Sequence, residues 1–189
     1  PTLLRLADIE EEVTHRSHSG LDAATSSTAN PLYYVKGQAG QPLEMKLTAT
    51  MVIADTGIKG ATKEAITDVQ ALIRKDPAGA NQHIDHLGAL VKDVRGFLEH
   101  NEVGKLGMAL DAAQADLTAL GVSNDQLDHL IAVARANGAR GAKLTGGGRG
   151  GCMFAIMETA LGARKLASIL KENGAAQTWI QPLDQGGTI

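Results

Sequence analysis

A chain of 189 residues is long enough for one large domain or two small ones, and for a real hydrophobic core. Its 18 basic and 21 acidic residues leave a net charge of −3, without the basic run that would mark a nucleic-acid binder, and no apolar stretch approaches the roughly 20 residues of a membrane helix. The single cysteine, Cys152, has no internal partner and points to a reducing cytoplasm, while aromatic residues at 3% leave the core to Ala, Leu, Ile, Val and Met.

Leu3 to Val13 reads as a short helix, and its acidic end, Glu10 to Glu12, interrupts any signal-peptide pattern. A polar turn, Thr14 to Asp22, leads into another helical start, with Ser19 and Asp22 at capping-box spacing. Leu32 to Val35 is β-rich, Gly37 to Pro42 is a turn, and Leu43 to Leu47 is the expected hairpin partner. Thr50 to Asp55 predicts a buried strand, followed by a glycine-containing loop over residues 56–60. Four amphipathic helices then follow between Thr62 and Asn137. The first carries Ala65, Ile66, Val69, Leu72 and Ile73 on one face and stops at Asp76-Pro77. The second carries Ile84, Leu87, Val91, Val94 and Leu98, and the third Val103, Leu106, Leu110, Ala113, Leu117 and Leu120. Ser123 and Gln126 form a capping box for the fourth, which ends at Gly138. Gly141–Leu144 and Met153–Met157 are strand-like, Ala160–Glu172 is helical, and Thr178–Leu183 is a final strand. The pattern implies an α+β fold, an antiparallel sheet covered by helices.

Three segments carry candidate chemistry. Lys143 to Cys152 holds five glycines in six positions (Gly146, Gly147, Gly148, Gly150, Gly151), which costs backbone entropy and makes sense where the backbone approaches something closely or takes φ > 0. Successive N–H groups in such a loop form a concavity for phosphate oxygens, and a tight β-hairpin accounts for the composition equally well. The spacing is neither a Walker A nor a Rossmann pattern. In the second segment, Asp22 is a candidate general base for a hydroxyl. It is also the ordinary N3 acid of a helix capped by Ser19, and the two readings coexist because a helix N-terminus keeps a carboxylate ionised. The third segment, Asp55-Thr56-Gly57-Ile58-Lys59-Gly60-Ala61-Thr62-Lys63, either sets donors on an anion at a helix N-terminus or is a plain strand-to-helix loop capped by Thr62. His83 and His86 are read as part of a charged helix surface rather than a metal pair, His100 and His129 as surface residues, and Cys152 as a half-buried structural thiol.

Together the three segments resemble a known set. His15-Arg16-Ser17-His18-Ser19-Gly20-Leu21-Asp22 is similar to the His-Gly-x-Pro-Ser-Gly-Ile-Asp element of the GHMP kinases. Asp55 to Glu64 resembles a loop of the bacterial and archaeal mevalonate kinases within that superfamily, and Lys143 to Cys152 resembles the superfamily's C-terminal glycine motif. Arg16 and His18 stand where the family usually has Gly and Pro. The resemblance implies a ferredoxin-like GHMP C-terminal domain over residues 49–189, preceded over residues 1–48 by a remnant of the N-terminal domain. It implies transfer of phosphate from ATP to the primary hydroxyl of mevalonate. Asp22 would be catalytic, His15, Ser19, Thr56, Thr62 and Lys63 would lie on the substrate side, and Gly146, Gly147 and Gly148 would lie beside the nucleotide phosphates. The family's ATP loop, catalytic lysine and magnesium ligands come from a preceding portion whose motifs do not occur in this sequence. The chain is therefore expected to be the C-terminal part of such a kinase, inactive alone, with no metal ligand of its own and with most ligands to ATP and Mg outside it. Self-association, as a homodimer or otherwise, is expected through the apolar stripe of the first helix. Another GHMP small-molecule kinase, or a non-catalytic GHMP-like binding module, is the alternative reading.

Overall fold

The structure, a computed structural model, describes residues 31–183 together with Thr25 and Thr28. The expected helix at Leu3–Val13 and the Ser19–Asp22 box lie outside the described residues. The chain divides into two units, Pro1–Met45 with Gln185–Ile189, and Lys46–Asp184.

In the first unit, β1 (Leu32–Tyr33) pairs antiparallel with β2 (Gln41–Pro42). The β-rich Leu32–Val35 thus forms a strand of only two residues, and its partner is not Leu43–Leu47. The turn is set by Gly37 at φ +81 and by the Gln38 N–H donating to the Val35 carbonyl at 2.9 Å. Pairing grows outward from this turn until Leu43 N–H donates to Pro31 O at 2.8 Å. Pro31 has no N–H to return the bond, so the ladder ends there.

The second unit runs β3 (Thr50–Asp55), α1 (Thr62–Lys75), α2 (Pro77–Glu99), α3 (Val103–Ala119), α4 (Asp125–Ala136), β4 (Gly141–Leu144), β5 (Cys152–Met157), α5 (Ala160–Glu172) and β6 (Gln177–Pro182). Its four strands are ordered β4-β5-β3-β6, every neighbouring pair antiparallel. With α4 and α5 as the connections this is the ferredoxin-like β-α-β-β-α-β order, and α1–α3 are inserted ahead of α4. The expected α+β class is the observed one. Strand alternation builds the core: Val52 and Ala54 of β3 and Met153 and Ala155 of β5 are fully buried. They cluster with Leu127, Leu130 and Ile131 of α4 and with Ala163, Leu166 and Leu170 of α5.

The β4 edge is closed by α3. Asp111 Oδ1 accepts from Ala142 N–H at 2.9 Å, and Gln114 Oε1 accepts from Leu144 N–H at 2.9 Å. Side chains three apart on the helix thus match backbone donors two apart on the strand, and the otherwise unpaired edge is blunted. The approach is close because Gly107 and Gly141 meet backbone to backbone, where a Cβ on either would overlap its neighbour.

Two helix starts differ from expectation. Asn124, not Ser123, caps α4, accepting from Leu127 N–H at 2.9 Å, because the Ser123 hydroxyl is committed to Asp128 Oδ1 at 2.7 Å. Ala61, not Thr62, is the N-cap of α1, and no side chain caps that helix. Thr62 has moved into the first turn, where its side chain stands against Gly147.

Candidate functional site

The β4–β5 hairpin and the β3–α1 loop come together. Thr145 N–H donates to Cys152 O at 2.9 Å and closes the hairpin, so the tight-turn reading of the glycines holds. The loop then folds back on residues 56–62. Both the N–H and the hydroxyl of Thr56 donate to Gly151 O, at 2.9 and 2.8 Å, and Gly151 N–H returns a bond to Ile58 O at 2.7 Å. Thr56 is buried, and its hydroxyl also accepts from Ile58 N–H at 3.2 Å. Its side chain is thereby spent on holding the two loops together. Thr62 and Lys63, by contrast, are exposed at the start of α1.

The glycines are required by space as well as by dihedral angle. A Cβ on Gly147 would overlap Thr62 Oγ1, one on Gly148 would overlap Val122 O, and one on Gly150 would press on Ile58 O. Gly146 and Gly148 take φ of +79 and +76, on either side of a residue that does not, and no Cβ contact would limit Gly146. Alternating handedness is the backbone pattern from which anion-binding concavities are built. The N–H groups of Thr145, Arg149 and Gly151 are bonded and Gly148 closes a turn over Gly146–Gly147, whereas the N–H groups of Gly146 and Gly147 find no acceptor among the described residues. Beside them lies the start of α1, 14 residues long and without a side-chain cap. Backbone donors of a loop and of a helix terminus, without acceptors among the described residues, therefore share one corner, the arrangement that favours an anion.

The third side of the corner is the α3–α4 turn. Gly121 at φ +72 ends α3 in a Schellman arrangement, with Val122 N–H on Leu117 O and Gly121 N–H on Thr118 O, both at 2.9 Å. That leaves the carbonyls of Gly121 and Val122 facing the hairpin. The buried Gln114 fixes the turn from behind, its amide nitrogen donating to Ser123 Oγ and Asp128 Oδ1 at 3.1 Å each.

The residues brought together are thus Thr56, Thr62 and Gly146–Gly148, and Lys63 follows Thr62 on α1, exposed. His15, Ser19 and Asp22 lie outside the described residues. Sequence reasoning missed Gln114 and Asp116. Asp116 is buried on α3 and accepts from Nδ1 of both His83, at 2.8 Å, and His86, at 2.7 Å, so these histidines tie α2 to α3 instead of standing as independent surface charges. The available signal was an acid three residues after Ala113, on the apolar face of the third helix. His100 and His129 are exposed, and Cys152 is half-buried, as read from the sequence. Burial first, and then the charge of its cross-strand partner Asp55, push the Cys152 thiol pKa upward. Burial also pulls the Lys143 ammonium downward, with its Nζ 5.6 Å from the centre of the Phe154 ring.

Residues 94–176 match the family described as GHMP kinases C terminal. A mevalonate kinase of Aeropyrum pernix is 30% identical to this chain over 171 residues, 89% of this chain and 52% of that protein. A mevalonate kinase of Pyrococcus horikoshii is 33% identical over 159 residues, 82% of this chain and 47% of that protein. The chain carries the C-terminal domain of the GHMP kinase family. The glycine hairpin, the α3–α4 turn and α5 all fall within its matched C-terminal domain. The crystal structure of L. major mevalonate kinase in complex with R-mevalonate shares the fold with a TM-score of 0.81 at 24% identity, covering 91% of this chain and 55% of that one. The chain spans about half the length of the curated relatives it matches. No helix among the described residues is long and apolar enough to cross a membrane.

Proposed function

We propose that this chain is the C-terminal part of a mevalonate kinase, a cytoplasmic enzyme that transfers the γ-phosphoryl group of ATP to the primary hydroxyl of mevalonate. The observation that carries the reading is the corner where the N–H groups of Gly146 and Gly147, with no acceptor among the described residues, lie beside the start of α1, which no side chain caps. Phosphoryl transfer asks a protein mainly for positioning and charge stabilisation, and fixed backbone donors supply both at phosphate oxygens. Two relatives at 30% and 33% identity bear the name mevalonate kinase, and a structural neighbour holds R-mevalonate.

In this reading the mevalonate hydroxyl oxygen forms a bond to the γ-phosphorus, the bond to the β-phosphate oxygen breaks, and ADP leaves. Asp22 receives or orients the hydroxyl proton. His15, Ser19, Thr62 and Lys63 line the alcohol side, Thr56 holds the loop, and Gly146–Gly148 address the phosphates. Residues 1–48 belong to the N-terminal domain of the fold. Among the described residues no group of three or more His, Cys, Asp or Glu is arranged to hold a metal ion. Self-association through the Leu3–Val13 stripe belongs to the same proposal.

The test is Asp22→Asn in the native gene product, assayed for ATP-dependent phosphorylation of mevalonate. Loss of turnover with an intact fold supports the role. Turnover close to wild type rejects it.

A further inference from the structure

One residue in the hairpin is not glycine where glycine would be the easiest choice. Arg149 takes φ +56, a left-handed conformation that an L side chain rarely adopts, with glycines on both sides. Its backbone N–H and two of its guanidinium nitrogens are engaged. Arg149 N–H donates to Val122 O at 2.8 Å, Nε donates to Gly121 O at 2.9 Å, and Nη1 donates to Asp68 Oδ2 on α1 at 2.6 Å. The partners lie 28 and 81 residues away in sequence, on the two elements that flank the glycine corner. The ion pair alone does little for stability, because Asp68 is 59% exposed. It is well placed, however, to fix the hairpin against both neighbours at once.

We infer that Arg149 is a positioning residue: it clamps the glycine hairpin between α1 and the α3–α4 turn and so aligns the backbone of Gly146–Gly148 beside the start of α1. The planar guanidinium suits this task, since it donates in two directions from one rigid fork. Glycine at this position would relieve the backbone and lose the clamp. Lysine would keep a charge toward Asp68 and lose the Nε bond to Gly121. The inference deepens the proposed kinase reading and rests on it for the catalytic consequence, but the clamp itself is measurable without turnover.

The experiment compares wild type, Arg149→Gly and Arg149→Lys by amide hydrogen exchange of this chain, with intrinsic rates corrected. Protection at the N–H groups of residues 149 and 151 is expected to fall about tenfold in Arg149→Gly and by less in Arg149→Lys, while β3 and β5 keep theirs. Equal protection in all three proteins, or a loss shared with β3 and β5, overturns the clamp. In the native gene product, Arg149→Gly is expected to lower kcat roughly tenfold with the KM for mevalonate held within about twofold, and Arg149→Lys to restore part of the rate. An unchanged kcat overturns the positioning role. A wild-type protein that phosphorylates no mevalonate sinks the kinase reading, while the exchange data still decide the clamp.

Discussion

The sheet with α4 and α5 and the α1–α2 pair belong to the same unit but are held by different physics. On α4 the residues Leu127, Leu130, Ile131 and Ala134 are buried, and on α5 Ala163, Leu166, Ala167 and Leu170 are buried. By contrast α1 buries only Ala65 along 14 residues, and α2 only Ala80 along 23. Ile66, Ile84 and Val91 of that pair are exposed. The α2 helix, with Leu87, Val94 and Leu98 only half-buried, is tied to α3 by the polar contacts of Asp116 with His83 and His86. Apolar burial therefore sets global stability in one region, and hydrogen bonds set placement in the other. The glycine corner sits at their junction, where a rigid hairpin meets a helix start that is less firmly anchored.

Substitutions should separate the two regions. Leu130→Ala, at a fully buried site, is expected to cost about 3–5 kcal/mol in urea unfolding, against roughly 0.5 kcal/mol or less for Val91→Ala on α2. Equal costs would erase the distinction. Gly148→Ala forces a Cβ into Val122 O at φ +76 and is expected to cost about 1–3 kcal/mol, with the change concentrated in the hairpin by amide exchange. Asp116→Ala removes the shared acceptor of two histidines and is expected to cost about 1–2 kcal/mol while loosening α2 selectively. The smallest effect is electrostatic. Burial depresses the Lys143 pKa, so the unfolded chain binds the proton more readily and the penalty is present in full below the folded pKa. Wild-type stability relative to Lys143→Met should therefore rise as pH approaches 10.5, and a difference that stays flat with pH would contradict the assignment.

What could be read from the sequence follows the same division. Thr50–Asp55, Gly141–Leu144 and Ala160–Glu172 were legible to the residue, because period-2 or period-3.6 patterns there report a strongly buried face. The same periodicity groups Ile66 on α1, and Ile84 and Val91 on α2, with residues that the fold at least half buries, yet these three are exposed. The short β1–β2 hairpin was misread because its register follows a turn at Gly37 and the missing N–H of Pro31, which outweigh β-propensity. Thr62 and Ser123 both looked like caps, but each is drawn to a tertiary partner, Gly147 for one and Asp128 for the other, across distances that local rules do not see. The meeting of the glycine hairpin with the 56–62 loop came only through the family resemblance, since nothing local links residues 95 apart. Arg149 stood in plain view among glycines, yet its meaning required knowing where Asp68 and Gly121 lie.

The central claim is that the N–H groups of the glycine hairpin, beside the start of α1, hold the phosphates during transfer to an alcohol. Its most direct test is the rate of phosphate transfer from ATP to mevalonate by the native gene product, wild type against Gly148→Ala, with both proteins shown to be folded. Displacement of the hairpin should reduce kcat/KM by about 10²-fold. A Gly148→Ala enzyme that transfers phosphate as fast as wild type would contradict it.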